Sequence, residues 1–196
     1  MQVKAILLTP FVAAGLVNGA ATPKQTIFQG LALRSASPVH FNYLQAANNS
    51  IDLKLKKQGA SCDNHDKKIN QATFLLDGDE LYLYKSDLPP QQLFVDRSGM
   101  GQGLLGYTEG VADPKFPRNG ERKGFKINKD GYLEFDGTNF IACPNGKDLE
   151  KTSWSVWVGA GVNNPGGNEN CLRFTVKAVE VKKPVGCSYT TQPITN

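Results

Sequence analysis

The chain has 196 residues, with 22 Lys and Arg against 18 Asp and Glu and a formal charge of +4. That surplus is thin and evenly spread, without the basic stripe that a nucleic-acid surface needs. After the first twenty residues nothing approaches the length of a membrane-spanning helix, so neither nucleic acid nor a membrane is an expected partner.

Lys4, an apolar run over residues 5–17 and the small residues Gly19, Ala20 and Ala21 have the layout of a secretory signal peptide. The expected division is therefore a signal peptide over 1–20 and a single domain over 21–196. The mature charge falls to +3, and the core is that of one domain of ordinary size. The polar ending Gln192-Pro-Ile-Thr-Asn196 lacks the hydrophobic tail of a lipid-anchor signal. Four cysteines, Cys62, Cys143, Cys171 and Cys187, follow the leader; an even count in a secreted chain predicts two disulfides, with three possible connectivities. The Asn48-Asn49-Ser50 sequon makes Asn48 the glycosylation candidate and requires it at the surface.

In chain order, Pro38 forbids a helix interior, and the alternation of Val39, Phe41 and Tyr43 predicts a strand starting near Val39. Ile51, Leu53 and Leu55 alternate with Asp52, Lys54 and Lys56, the period of a half-buried strand with its charges outward. Asp77-Gly78 between an apolar run and an alternating run predicts a hairpin with Leu81 and Leu83 on one face and Tyr82 and Tyr84 on the other. Leu88-Pro-Pro90 breaks the pairing, and a strand over 92–97 leads into glycines 99, 101, 103 and 106. Those glycines lack the Lys-Ser/Thr ending of a phosphate loop and read as bulges and close backbone approach.

A second hairpin turns at Asn128-Lys-Asp-Gly131. The stretch Gly131-Tyr-Leu-Glu-Phe-Asp-Gly-Thr-Asn-Phe-Ile-Ala-Cys-Pro144 then reads as two extended runs hinged at Asp136-Gly137 and closed by a cysteine. Strands follow over 153–159 and 171–181; short helical candidates near 44–48 and 145–151 make a turn or two at most. Many short strands in one domain predict an all-β, disulfide-stabilised antiparallel β-sandwich or β-barrel-like domain. If the last three strands run up, down and up, end matching favours Cys143 with Cys187 and Cys62 with Cys171.

Candidate chemistry is sparse. A Ser-His-Asp set has only His40 and His65 to draw on, and neither accompanies a Gly-X-Ser-X-Gly elbow. His40 reads as an exposed or hydrogen-bonded structural residue. Cys62, Asp63, His65 and Asp66 crowd together, but an oxidised cysteine leaves no zinc spacing. The carboxylate pairs Asp77 with Asp79 and Glu134 with Asp136 lie at turns or on one strand face, where turn roles explain them. No catalytic residue, metal or cofactor is expected. Carbohydrate binding has a better case in Trp154, Trp157, Tyr82, Tyr84 and Tyr107. The two tryptophans face opposite sides of a strand, one to the core and the other outward, packed under a loop.

Residues 32–40, 79–84, 93–107, 131–144 and Trp154-Ser-Val-Trp157, in that order, resemble the fungal cell wall protein PhiA family, with Cys171 and Cys187-Ser-Tyr189 matching its C-terminal cysteines. The resemblance implies a small secreted, wall-associated glycoprotein of filamentous fungi, associated with phialide and conidium development and with no catalytic site to carry over. Its implied partner is the wall matrix, polysaccharide or glycoprotein, with a host receptor or antibody as a further partner. Two other functions stay open on the residues: a secreted effector or elicitor, and a secreted hydrolase or lectin.

Overall fold

The computed structural model describes residues 25–64, 69–85, 87–110 and 112–192. The expected signal peptide and the residues His65 and Asp66 lie outside them.

The described chain is all-β apart from one short 3-10 turn, Pro165–Gly167. Its strands are β1 (Thr26–Leu33), β2 (Gln45–Ala47), β3 (Ser50–Leu53), β4 (Ser61–Cys62), β5 (Thr73–Asp77), β6 (Glu80–Leu83), β7 (Gln91–Asp96) and β8 (Leu104–Glu109). After them come β9 (Gly120–Glu121), β10 (Phe125–Ile127), β11 (Tyr132–Phe135), β12 (Phe140–Pro144), β13 (Trp154–Val158), β14 (Leu172–Glu180) and β15 (Cys187–Ser188).

Of the two expected architectures, the barrel is the one formed. The order β1-β5-β6-β7-β8-β3-β13-β12-β14 returns to β1, because β1 pairs with both β5 and β14. Closure removes the exposed edges that an open sheet must protect. An odd ring of straight antiparallel strands cannot close, and β3 resolves the mismatch as a short wedge. It meets β13 through Trp154↔Leu53 and β8 through Ser50↔Gly106, while β8 and β13 pair directly farther along, at Trp157↔Leu104.

Alternate positions point inward as a two-residue period requires. Phe28, Phe74, Leu81, Leu83, Leu93, Val95, Tyr107, Phe140, Trp154, Val156 and Val176 are buried in one cluster. The two hairpins predicted at Asp77-Gly78 and Asn128-Lys-Asp-Gly131 are present, with Leu81 and Leu83 in the core and Tyr82 half-buried outside it. The glycines after β7 serve close approach: a Cβ on Gly103 would lie 1.9 Å from the Val158 carbonyl oxygen, and one on Gly106 2.8 Å from that of Asn49.

Several expectations are corrected. Residues 39–43 form no strand beyond a single bridge from Tyr43 to Leu31; the alternation there belongs to a turn. Residues 45–47 are β2, not a helical turn. Asp52 does not face water: it lies between Gln45 of β2 and Ser155 of β13 and is only 7% exposed. Burial pushes its carboxyl up to about 6, against hydrogen bonds to Ser50 and Asn145 that pull the other way.

The two extended runs hinged at Asp136-Gly137 are present as β11 and β12, but they do not pair with each other as a hairpin. Both lie along one long partner, β14, with Leu133 opposite Val176 and Phe140 opposite Phe174, so the turn between them loops out beside that strand. Both turn residues take positive φ, and the loop carries Asp136 to Arg97 at 2.8 Å.

The disulfides also differ from the end-matching expectation: they are Cys62–Cys187 and Cys143–Cys171. β12 pairs antiparallel with both β13 and β14, so the latter two run the same way on either side of it, not up, down and up. That puts the start of β14 beside the end of β12. The register Ala142↔Leu172 then leads directly to the Cys143–Cys171 bridge. The connection from β13 to β14 is accordingly a crossover, and Gly166 within it lies against the Trp157 ring.

Candidate functional surface

Among the described residues, those singled out for chemistry are not assembled into a reacting group. Asp77 accepts from Gln25 Nε2 at 3.0 Å, Glu134 from Asn128 Nδ2 at 2.5 Å, and Asp136 is paired with Arg97. Asp79 is used through its carbonyl, which accepts from Gly124 and Phe125. Cys62 is oxidised and offers no thiolate to a metal. Among the described residues no three His, Cys, Asp or Glu side chains gather as a metal site, and no helix is long and apolar enough to cross a membrane.

The aromatic candidates separate as expected. Trp154 is fully buried, its Nε1 the one buried side-chain polar atom of the described residues without a partner. Trp157 faces outward, half-buried under the crossover, and its Nε1 donates to Ser155 Oγ at 3.0 Å. Tyr107 is a core residue, and Tyr82 donates its hydroxyl to Glu80 at 2.6 Å. Asn48 is exposed at the tip of the β2–β3 hairpin, where it and Asn49 have φ values of 52° and 64°. These are the left-handed conformations such a two-residue turn requires, and ones asparagine tolerates.

The most exposed aromatic ring of the described residues is one that periodicity assigned to a strand. Phe41, at 66% exposure, sits in the turn that joins β1 to β2, with φ at 60°. A bulky side chain in that region is an outlier, at a cost of order 1–3 kcal/mol. The surrounding hydrogen bonds hold it there. Phe41 N–H donates to the Ala32 carbonyl at 2.8 Å, His40 N–H to that of Ser37 at 3.1 Å, and Asn42 Nδ2 to those of Pro38 and His40 at 3.1 and 3.2 Å. Val39 anchors the turn in the core.

His40 is hydrogen-bonded, as expected: its Nδ1 accepts from the Arg34 N–H at 3.0 Å, so the neutral ring carries its proton on Nε2. Its ring stacks on Phe41 with centroids 3.8 Å apart. Arg34 Nη1 donates to the Arg173 carbonyl at 2.7 Å, and Arg173 Nη2 to Asn163 Oδ1 at 2.8 Å. Neither guanidinium has a carboxylate partner among the described residues. Nothing in the spacing of Arg34 and Arg173 signals their proximity; the pairing of β1 with β14 creates it. The only available signal for Phe41 was the Ser-Ala-Ser-Pro run ahead of it, which marks a turn.

The fold and these sites define an extracellular type of small protein: a disulfide-pinned β-barrel with an exposed aromatic turn and no assembled acid–base group among the described candidates. The family model described as PhiA-like secreted protein matches residues 28–190, and the chain belongs to that family. Among curated relatives, "Cell wall protein phiA" of Aspergillus niger is 44% identical over 191 residues, covering 97% of this chain and 99% of the relative. The protein of the same name from Aspergillus fumigatus is 43% identical, covering 97% and 100%, and that of Arthroderma benhamiae 37% identical, again covering 97% and 100%. No solved structure matches the chain.

Proposed function

We propose that the protein is a non-enzymatic component of the cell wall of a filamentous fungus, retained by the wall matrix and supporting phialide and conidium development. The observation that carries this reading is full-length similarity to proteins named as cell wall proteins. The state of the carboxylates supports the non-enzymatic part. Hydrolysis of a glycosidic bond needs two carboxyl groups flanking one cleft, and the sequence candidates are instead engaged separately in turns and ion pairs. Asn48, on an exposed hairpin tip, is the proposed N-glycosylation site.

Fractionation of wall from culture medium tests the location. A substantial wall-bound pool is expected; release of nearly all the protein into the medium contradicts it. A deletion strain scored for conidiation tests the developmental role, and wild-type spore yield would refute it. Incubation with chitin and β-glucan tests the absence of catalysis: new reducing ends abolished by one carboxylate substitution would make the protein a hydrolase.

A further inference from the structure

Building on the reading that the matrix retains the protein, we propose that the turn over residues 34–43 is a carbohydrate site. Phe41 is its stacking platform, and its ligand is a neutral β-linked wall polysaccharide of the glucan or chitin class.

Three observations converge on this turn. The first is the ring itself. Phe41 is 66% exposed while Phe28, Phe74, Phe125, Phe135 and Phe140 are buried, so the fold leaves this one ring in water. His40 backs one face at 3.8 Å and the remainder stays open. A β-linked pyranose, with its substituents equatorial, presents a flat face of C–H groups that such a ring matches in shape and polarity.

The second observation is conformational. Folding does not require a phenylalanine here, because its backbone adopts φ of 60°, which glycine or asparagine adopts more readily. The turn nonetheless fixes the Phe41 backbone through the Phe41–Ala32, His40–Ser37 and Asn42–Pro38 hydrogen bonds, and the His40 stack supports the ring, so little backbone freedom is left to lose when a ligand stacks.

The third is the surrounding polarity. The Arg34 N–H binds the His40 ring that stacks on Phe41, Arg34 Nη1 in turn reaches the Arg173 carbonyl, and both arginines are exposed, so donors belong to the same end of the β1–β14 pair; Tyr43, 37% exposed, follows two residues on. Planar guanidinium forks suit the adjacent hydroxyls of a sugar. Residues 26–51 contain no Asp or Glu, so the turn offers donors for binding and no carboxylate for cleavage.

The test is affinity electrophoresis of the secreted protein in gels containing a soluble β-1,3-glucan, with chitohexaose as a competing ligand, alongside thermal unfolding. Retardation by the glucan, or a shift with chitohexaose, is expected for the wild type. Phe41→Gly is expected to weaken it at least tenfold while leaving the melting temperature unchanged or raised, since glycine relieves the left-handed backbone. Phe41→Trp is expected to keep binding. Leu88→Ala, which removes a side chain 84% exposed elsewhere, is expected to change nothing.

Wild-type binding by Phe41→Gly overturns the proposal. Absence of binding to both probes overturns it as well, as does binding confined to an acidic polysaccharide and abolished by salt. A protein found in the wall fraction that fails in these gels loses this site and keeps its location, so the two readings fail separately.

Discussion

The C-terminal strap over residues 187–190, which begins with the short β15, and the turn over residues 34–43 are both laid against the barrel, and they are built in opposite ways. In the strap, Cys187 is bonded to Cys62 across the β4–β15 pair, and Tyr189 is 3% exposed. Gln91 grips the Tyr189 backbone from both sides, donating to its carbonyl at 2.7 Å and accepting from its N–H at 2.9 Å. The Tyr189 hydroxyl accepts from the Thr73 N–H, and burial pushes its pKa up to about 12. The Tyr107 hydroxyl donates to the Thr190 carbonyl. Every one of these contacts draws the chain inward. In the turn, equally specific hydrogen bonds hold a large apolar ring outward, in a backbone conformation it does not favour. Satisfied burial marks a region that stabilises the molecule; a ring held outward adds no burial to the barrel and leaves its surface available to the proposed ligand.

The largest effect that would separate the two regions is loss of the strap disulfide. Its sequence separation of 125 against 28 for Cys143–Cys171 predicts, from chain entropy, about 5 kcal/mol for the first and about 3.5 kcal/mol for the second. Cys187→Ser should therefore reduce thermal stability and secreted yield more than Cys143→Ser does. The reverse ranking would mean that the strap is not what holds the barrel.

Gln91→Ala comes next. It leaves two buried backbone groups of Tyr189 unpaired, a loss of about 2–4 kcal/mol expected in denaturant unfolding.

Asp52 gives a pH signature. Its folded pKa is raised, so the folded state holds this proton more tightly than the unfolded state does. Its contribution is complete below about pH 4 and is lost as pH rises through about 6. Asp52→Asn should flatten the stability profile across that window, by up to about 3 kcal/mol. Melting temperatures measured from pH 4 to 7 check this, and a parallel profile for the variant would contradict it.

The smallest effect sits in the turn: Phe41→Gly should change stability by no more than about 1 kcal/mol, in the stabilising direction. A large destabilisation there would erase the contrast between the regions.

Much of the barrel was legible because local signals and global order agree. Asp77-Gly78 and Asn128-Lys-Asp-Gly131 turn where their residue types say, and the alternation of Leu81 with Tyr82 matches the observed faces. The failures share a cause. Val39, Phe41 and Tyr43 alternate like a strand, but one is a core anchor, one is left-handed and one makes a single bridge. Phenylalanine carries no local signal for positive φ. The disulfide pairing and the burial of Asp52 depend on which strands become neighbours. β14 passes β13 to lie on the far side of β12, and β3 is wedged between two sheet segments; neither event leaves a periodicity in the sequence. Arg34 and Arg173 meet for the same non-local reason.

The central claim, that the barrel is framework and the aromatic turn is what engages the wall, is tested most directly by the wall-bound fraction of Phe41→Gly against wild type in one strain. The account predicts equal total secretion and a wall-bound fraction reduced severalfold, with the missing protein recovered folded from the medium. Equal wall retention of the two proteins would contradict it.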